Sequence, residues 1–235
     1  MTLNELVYNI RSLRYGGVEP DDYQLSDRQV AFWIRNIRAL LIKQDLDKNR
    51  MIPEQIVQDL GCLSLECVDS AECCQLLGIE SGEYIKRTEV LPVPLNFHFA
   101  TDTATSLFTY VGTVYGESIE FTSEAIVKRA KHKKYTGLKR RAFYKNGRIY
   151  ITNANLMDIV RVRGIFENPE DVAKFNTCDG ESCFTYDSPY PLTEYHASML
   201  NDLIIKTYLQ YIINPAVQQD ATNNTLDDPK PESIR

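Results

Sequence analysis

The side chains able to do chemistry are few and scattered. The three histidines, His98, His132 and His196, stand in unrelated stretches, and none sits in an HExxH or GxSxG arrangement that would supply a metal or a nucleophile. No GxxxxGK[ST] or GxGxxG segment is present to cradle a phosphate. The acidic pairs Asp21-Asp22 and Asp227-Asp228 fall in polar stretches and read as solvated charge rather than as an acid/base couple. Asp45-Leu46-Asp47-Lys48-Asn49 opens like a calcium loop, but Arg50 stands where the sharp turn of such a loop requires glycine. The expectation is a chain with no catalytic residue, no cofactor and no resident metal, whose work is done by its surfaces. An enzyme built on one of the histidines or on a thiol nucleophile is the competing reading.

Six cysteines, Cys62, Cys67, Cys73, Cys74, Cys178 and Cys183, would be enough for three disulfides. Disulfide scaffolds, however, are short secreted chains, and Met1-Thr2-Leu3-Asn4-Glu5 has neither the basic start nor the apolar run of a signal peptide. No stretch approaches the ~20 apolar residues that span a bilayer. These observations predict a soluble, intracellular protein with reduced and mostly buried thiols. Zinc is disfavoured by the spacings Cys67-x5-Cys73-Cys74 and Cys178-x4-Cys183, which contain no CxxC pair.

Charge is the strongest anomaly. The stretch from Lys128 to Arg141 carries Lys128, Arg129, Lys131, Lys133, Lys134, Lys139, Arg140 and Arg141, eight of the chain's 26 basic residues, and no acid. The rest of the chain holds eighteen basic residues against 32 acidic ones, so charge is segregated rather than balanced. Such a stretch contacts phosphates, docks on an acidic surface of another subunit, or is a solvated helix end whose last turn favours cations through the macrodipole. The overall pI near 5.2 weighs against a dedicated nucleic-acid binder. The eight basic residues are therefore the candidate intersubunit or partner contact.

The elements that position these residues are readable in part. Thr2-Leu3-Asn4-Glu5 is a capping box, and Leu3, Leu6, Val7, Ile10 and Leu13 recur at helical spacing until Gly16-Gly17. A second box at Ser26-Asp27-Arg28-Gln29 opens a helix to about Asp47, with Val30, Trp33, Ile34, Ile37, Leu40 and Leu41 on its apolar face. The chain thus opens with a helical hairpin. Strand-forming stretches follow at Tyr84 to Leu91, Phe108 to Val114 and Ser118 to Phe121, the last two joined by a turn at Tyr115-Gly116. Thr122-Ser123-Glu124 caps a short helix that runs into the basic stretch. Asn146-Gly147, flanked by Ala142 to Lys145 and Arg148 to Ile151, predicts a hairpin with a type I′ turn. A strand at Ile159 to Phe166 leads to a helix start at Asn168-Pro169. Leu192-Thr193 opens a C-terminal helix with Tyr195, Met199, Leu203, Ile204 and Tyr208 along one face and Pro215 beyond its end.

The order of elements predicts an α+β protein whose N- and C-terminal helices, 1–60 and 192–215, pack as a bundle. A β-rich middle of antiparallel hairpins, 61–191, lies between them. Residues 216–235, poor in apolar groups, are expected to form a flexible C-terminal tail.

Several segments together resemble a known family. These are Asn4-Glu5-Leu6-Val7-Tyr8-Asn9-Ile10 with Gly16-Gly17, Phe32-Trp33-Ile34 with Arg38-Ala39-Leu40-Leu41-Ile42, and Gln58-Asp59-Leu60-Gly61-Cys62. They continue through Val68-Asp69-Ser70-Ala71-Glu72-Cys73-Cys74, Tyr144-Lys145-Asn146-Gly147, Val162-Arg163-Gly164-Ile165-Phe166-Glu167 and Asp187-Ser188-Pro189-Tyr190-Pro191. Over about residues 3–210 they are similar to a structural protein family of crAss-like phage virions. The resemblance implies a neck or tail ring protein, a head-to-tail connector that assembles with itself, twelvefold, below the phage portal. It would contact adjacent tail ring proteins, let DNA pass without sequence recognition during ejection, and meet no membrane. The family supplies no catalytic residues. The alternative function is a nucleic-acid-binding or packaging-associated virion protein that uses 128–141 with Tyr135 and Tyr144.

Overall fold

A reciprocal cap starts the chain: the Thr2 N–H donates to Glu5 Oε2 (2.9 Å) and the Glu5 N–H to Thr2 Oγ (3.2 Å), so two backbone donors that a helix start leaves orphaned are satisfied. Helix α1 (Leu3–Tyr15) follows, and Ser26, whose hydroxyl takes the Gln29 N–H, caps α2 (Asp27–Asp47). Arg11 reaches Asp27 at 2.6 Å and ties the two helices together. The computed structural model describes residues 1–15, 25–48, 50–69, 85–95, 108–130 and 132–209. The expected helix stop at Gly16-Gly17, Cys73, Cys74, His98, Lys131, Pro215 and the tail 216–235 lie outside the described residues.

The fold is mixed helix and sheet. One sheet has three strands, in the spatial order β1 (Gln58–Ser64), β8 (Ile159–Gly164) and β4 (Phe108–Gly112), all antiparallel. The other has five, in the order β2 (Glu66–Cys67), β3 (Lys86–Arg87), β7 (Arg148–Thr152), β6 (Arg141–Lys145) and β5 (Glu120–Phe121). Its centre is the predicted hairpin, in which Asn146 (φ 51°) and Gly147 (φ 77°) supply the left-handed pair that a type I′ turn demands. The outermost strand pairs in parallel, β5 with β6, where the sequence reading had only antiparallel hairpins. The connection between them runs through α3 (Glu124–Ala130), which packs on β6 and brings the chain back in the same direction.

Three elements differ from the sequence reading. Strand β1 was not anticipated, because its pattern is interrupted by Gly61 (φ 69°) at a register shift between Asp59 and Cys62. Of the expected strand Tyr84 to Leu91, Tyr84 lies outside the described residues and, of the rest, Lys86–Arg87 is strand. The Asn168-Pro169 start yields a 3-10 turn, Pro169–Lys174, and the Asn168 side chain makes no capping bond. The last helix, α4 (Glu194–Ile204), buries His196, Ala197, Leu200 and Ile204, which leaves Tyr195 and Met199 on its outer side. A π turn, Ile205–Leu209, continues it, and there Tyr208 stacks on Trp33 of α2 with ring centroids 4.8 Å apart.

One large apolar cluster joins the helices to both sheets. Leu6, Ile10, Trp33, Ile34, Leu200 and Ile204 from the helices meet Leu60, Val160, Val162, Ile149 and Ile151 from both sheets. No described helix is long and apolar enough to cross a membrane.

Candidate assembly surface

The basic stretch becomes the end of α3, a run of turns through 132–140 and the first residue of β6. Its turns are closed by backbone bonds, Lys133 N–H to Ala130 O (3.0 Å), Gly137 N–H to Lys133 O (3.0 Å) and Lys139 N–H to Thr136 O (3.3 Å). Two side chains brace the loop from behind. Arg141, nearly buried, donates to Thr136 O (2.9 Å) and pairs with Glu120 (3.1 Å). Asn153 (φ 56°) donates its amide to Gly137 O and Lys139 O, both at 3.2 Å.

The eight cations predicted to act together therefore divide. Arg141 is committed inside the subunit. Lys128 pairs with Glu124 at 2.9 Å, and Arg140 stands 3.8 Å from Glu117, pairs that lie in water and contribute about 0–1 kcal/mol each. Arg129, Lys133, Lys134 and Lys139 are exposed, and Lys131 lies outside the described residues. What the sequence reading passed over is Leu138. It is 89% exposed, beside Tyr135 at 88%, with the Lys134 ammonium 5.6 Å from the Tyr135 ring. Tyr144 points the other way, half-buried against Phe108 at 5.6 Å, where burial raises its phenol pKa. The braced loop thus exposes Tyr135 and Leu138 together with Lys133, Lys134 and Lys139.

The histidines separate just as clearly. His132 is exposed. His196 is buried at the junction of α4 and α2, with Nε2 2.7 Å from Asp45 Oδ2 and Nδ1 2.6 Å from Thr193 Oγ. The Thr193 oxygen also takes the His196 N–H as the cap of α4 (3.2 Å), so the hydroxyl is engaged in closing the helix. The trio reads as a clamp between helices. In the calcium-like stretch, Asp45 accepts instead from Arg50 at 2.9 Å. Burial pushes the Asp45 carboxyl up, but the bonds and charges of His196 and Arg50 outweigh it and hold the pKa below the usual carboxylate value. A depressed folded pKa contributes stability above the unfolded value of about 3.9, and that stability is lost as pH falls through the folded pKa. As pH falls below about 4 the native chain should therefore lose more stability than Asp45→Asn. Denaturant midpoints across that window check this, and parallel curves contradict it.

The cysteines depart from expectation. Cys62 and Cys178 are bonded, with Cα atoms 4.9 Å apart, whereas reduced thiols were predicted. The bond is possible because Gly61 lets the 176–178 backbone lie directly on β1, where a Cβ would run into Asn176 O. Cys67 is exposed and free, and Cys183 is free and half-buried, its thiol pushed up to about 11 by burial and by Asp59. Among the described residues no cluster of His, Cys, Asp or Glu could hold a metal ion.

No curated protein matches the sequence. A family described as phage tail ring protein 2 matches residues 5–229, a span that takes in both sheets, the basic loop and all of the described helices save the first two residues of α1. The chain belongs to this family of crAss-like phage tail ring proteins.

Proposed function

We propose that the chain is one subunit of a closed ring in the neck of a short-tailed virion, a connector between portal and tail whose bore forms part of the DNA channel. In this reading the ring is twelvefold, and its helical part, from 1–60 and 192–215, carries a β-rich middle, 61–191, and a tail, 216–235, that reaches neighbours. The ties of α1 to α2 through Arg11–Asp27 and of α2 to the C-terminal turn through Trp33–Tyr208 support the helical grouping.

The observation that carries the reading is the braced, cationic loop, with Tyr135 and Leu138 exposed, on a chain whose other residues are strongly acidic. A closed ring needs two different patches of one subunit that complement each other, and this loop is one such patch. A bore through which DNA slides is better acidic than phosphate-gripping, which agrees with the net charge of −6. Assembly in the host cytoplasm belongs to the same reading.

The triple variant Lys133→Glu, Lys134→Glu, Lys139→Glu is expected to weaken ring formation with no change in thermal unfolding, since all three side chains are exposed. Light scattering at moderate salt checks this, and full assembly by the variant sinks the reading of the loop. The exposed Tyr135 beside Lys134 favours one alternative, a nucleic-acid contact. That alternative predicts DNA affinity that falls steeply with salt, whereas the ring reading predicts little affinity from the isolated subunit.

A further inference from the structure

In the ring reading the loop is one half of an interface, and a second surface of the chain has features that suit the other half. Between α1 and α4 lies a recess of about 390 Å³ walled by Leu6, Tyr190, Leu192, Ala197 and Asn201. Beside the recess, α4 turns Tyr195 (65% exposed) and Met199 outward. The helix carries Glu194 and Asp202 and no lysine or arginine.

We infer that this α4 face receives the 132–140 loop of a second copy of the chain, with Tyr135 and Leu138 seated at the recess and Lys133, Lys134 and Lys139 facing Glu194 and Asp202. Three features argue for a second copy. The match is apolar to apolar at the centre and cation to anion at the rim, the arrangement of a protein interface with a few central anchors. The two patches lie on different elements, the loop behind β6 and the recess on α4, so their pairing is heterologous and propagates from subunit to subunit as a ring requires. The loop enters already ordered by Arg141 and Asn153, so binding fixes little more than two side chains. This inference rests on the ring reading and names its contact.

The test uses full-length chains in the assembled ring. Leu138→Cys and Ser198→Cys are made separately, Ser198 being an exposed residue at the recess. The two variants are assembled singly and as an equal mixture, oxidised gently, and mapped by mass spectrometry against the native chain as control. The mixture should give a 138–198 link between copies that neither variant gives alone. In parallel, Tyr135→Ala with Leu138→Ala should weaken self-assembly about 100-fold at unchanged thermal stability. A closed oligomer without the 138–198 link, or with the thiol introduced by Leu138→Cys linked to another site or another virion protein, overturns the inference and leaves the ring standing. A native chain that forms no closed oligomer overturns both.

Discussion

Replacing Arg38 by alanine should destabilise the subunit by about 3 kcal/mol. Arg38 is completely buried, and its Nε and Nη1 donate to Pro191 O and Phe166 O, both at 2.9 Å. The guanidinium carbon stands 5.8 Å from the centre of the Tyr190 ring, while Nη2 has no partner. Burial draws the pKa down to about 10, partly countered by Tyr190, so the group stays charged at neutral pH. That shift corresponds to roughly 3 kcal/mol of unfavourable charge burial, which alanine would relieve. Against it stand two orphaned carbonyls at about 1–3 kcal/mol each and a cavity costing about 2–4 kcal/mol, so loss wins. Arg38→Met fills the cavity and should cost less than alanine. Arg38→Lys keeps the charge but cannot span both carbonyls with one compact ammonium. Urea midpoints at constant slope measure all three. An alanine variant within about 0.5 kcal/mol of the native chain would show that Arg38 does not clip these segments to α2.

The second large effect belongs to Cys62–Cys178. The bond closes a sequence separation of 116 residues, for which chain-entropy reasoning gives a ceiling of about 4.8 kcal/mol. Measured disulfides commonly return about 2–4 kcal/mol, and that is the loss expected for Cys178→Ser. Reductant should lower the native chain to the level of the variant and leave the variant unchanged. Cys183 lines the same cleft as Cys178, but its raised pKa keeps it a thiol at neutral pH and so a poor attacker of the neighbouring bond. Equal stability of native and variant chains in oxidising buffer contradicts this account.

What the sequence revealed and what it hid follow a physical division. The Thr2 and Ser26 caps, the Asn146-Gly147 turn and both long N-terminal helices depend on neighbours within a few residues, so their residue types announce them. The disulfide, the parallel β5–β6 pair and the Arg38 bonds join residues far apart in the chain, which no local pattern encodes. Of the predicted C-terminal stripe, Ile204 is buried and Leu203 and Tyr208 pack on the core, whereas Tyr195 and Met199 face outward because the core draws on Ala197 and Leu200 instead. The basic loop was legible from charge, but its division into braces and free lysines was not. Arg141 and Lys139 look alike in sequence and differ only because β6 carries one of them inward.

The central claim, a closed ring of identical subunits, is tested most directly by the mass of the purified native chain, alone and with the cognate portal, by light scattering over a range of concentrations. The account predicts a single oligomeric mass, a fixed multiple of the subunit, that stops growing once formed because heterologous contacts have closed. A monomer at every concentration with and without the portal, or a polymer whose mass keeps rising, would contradict it.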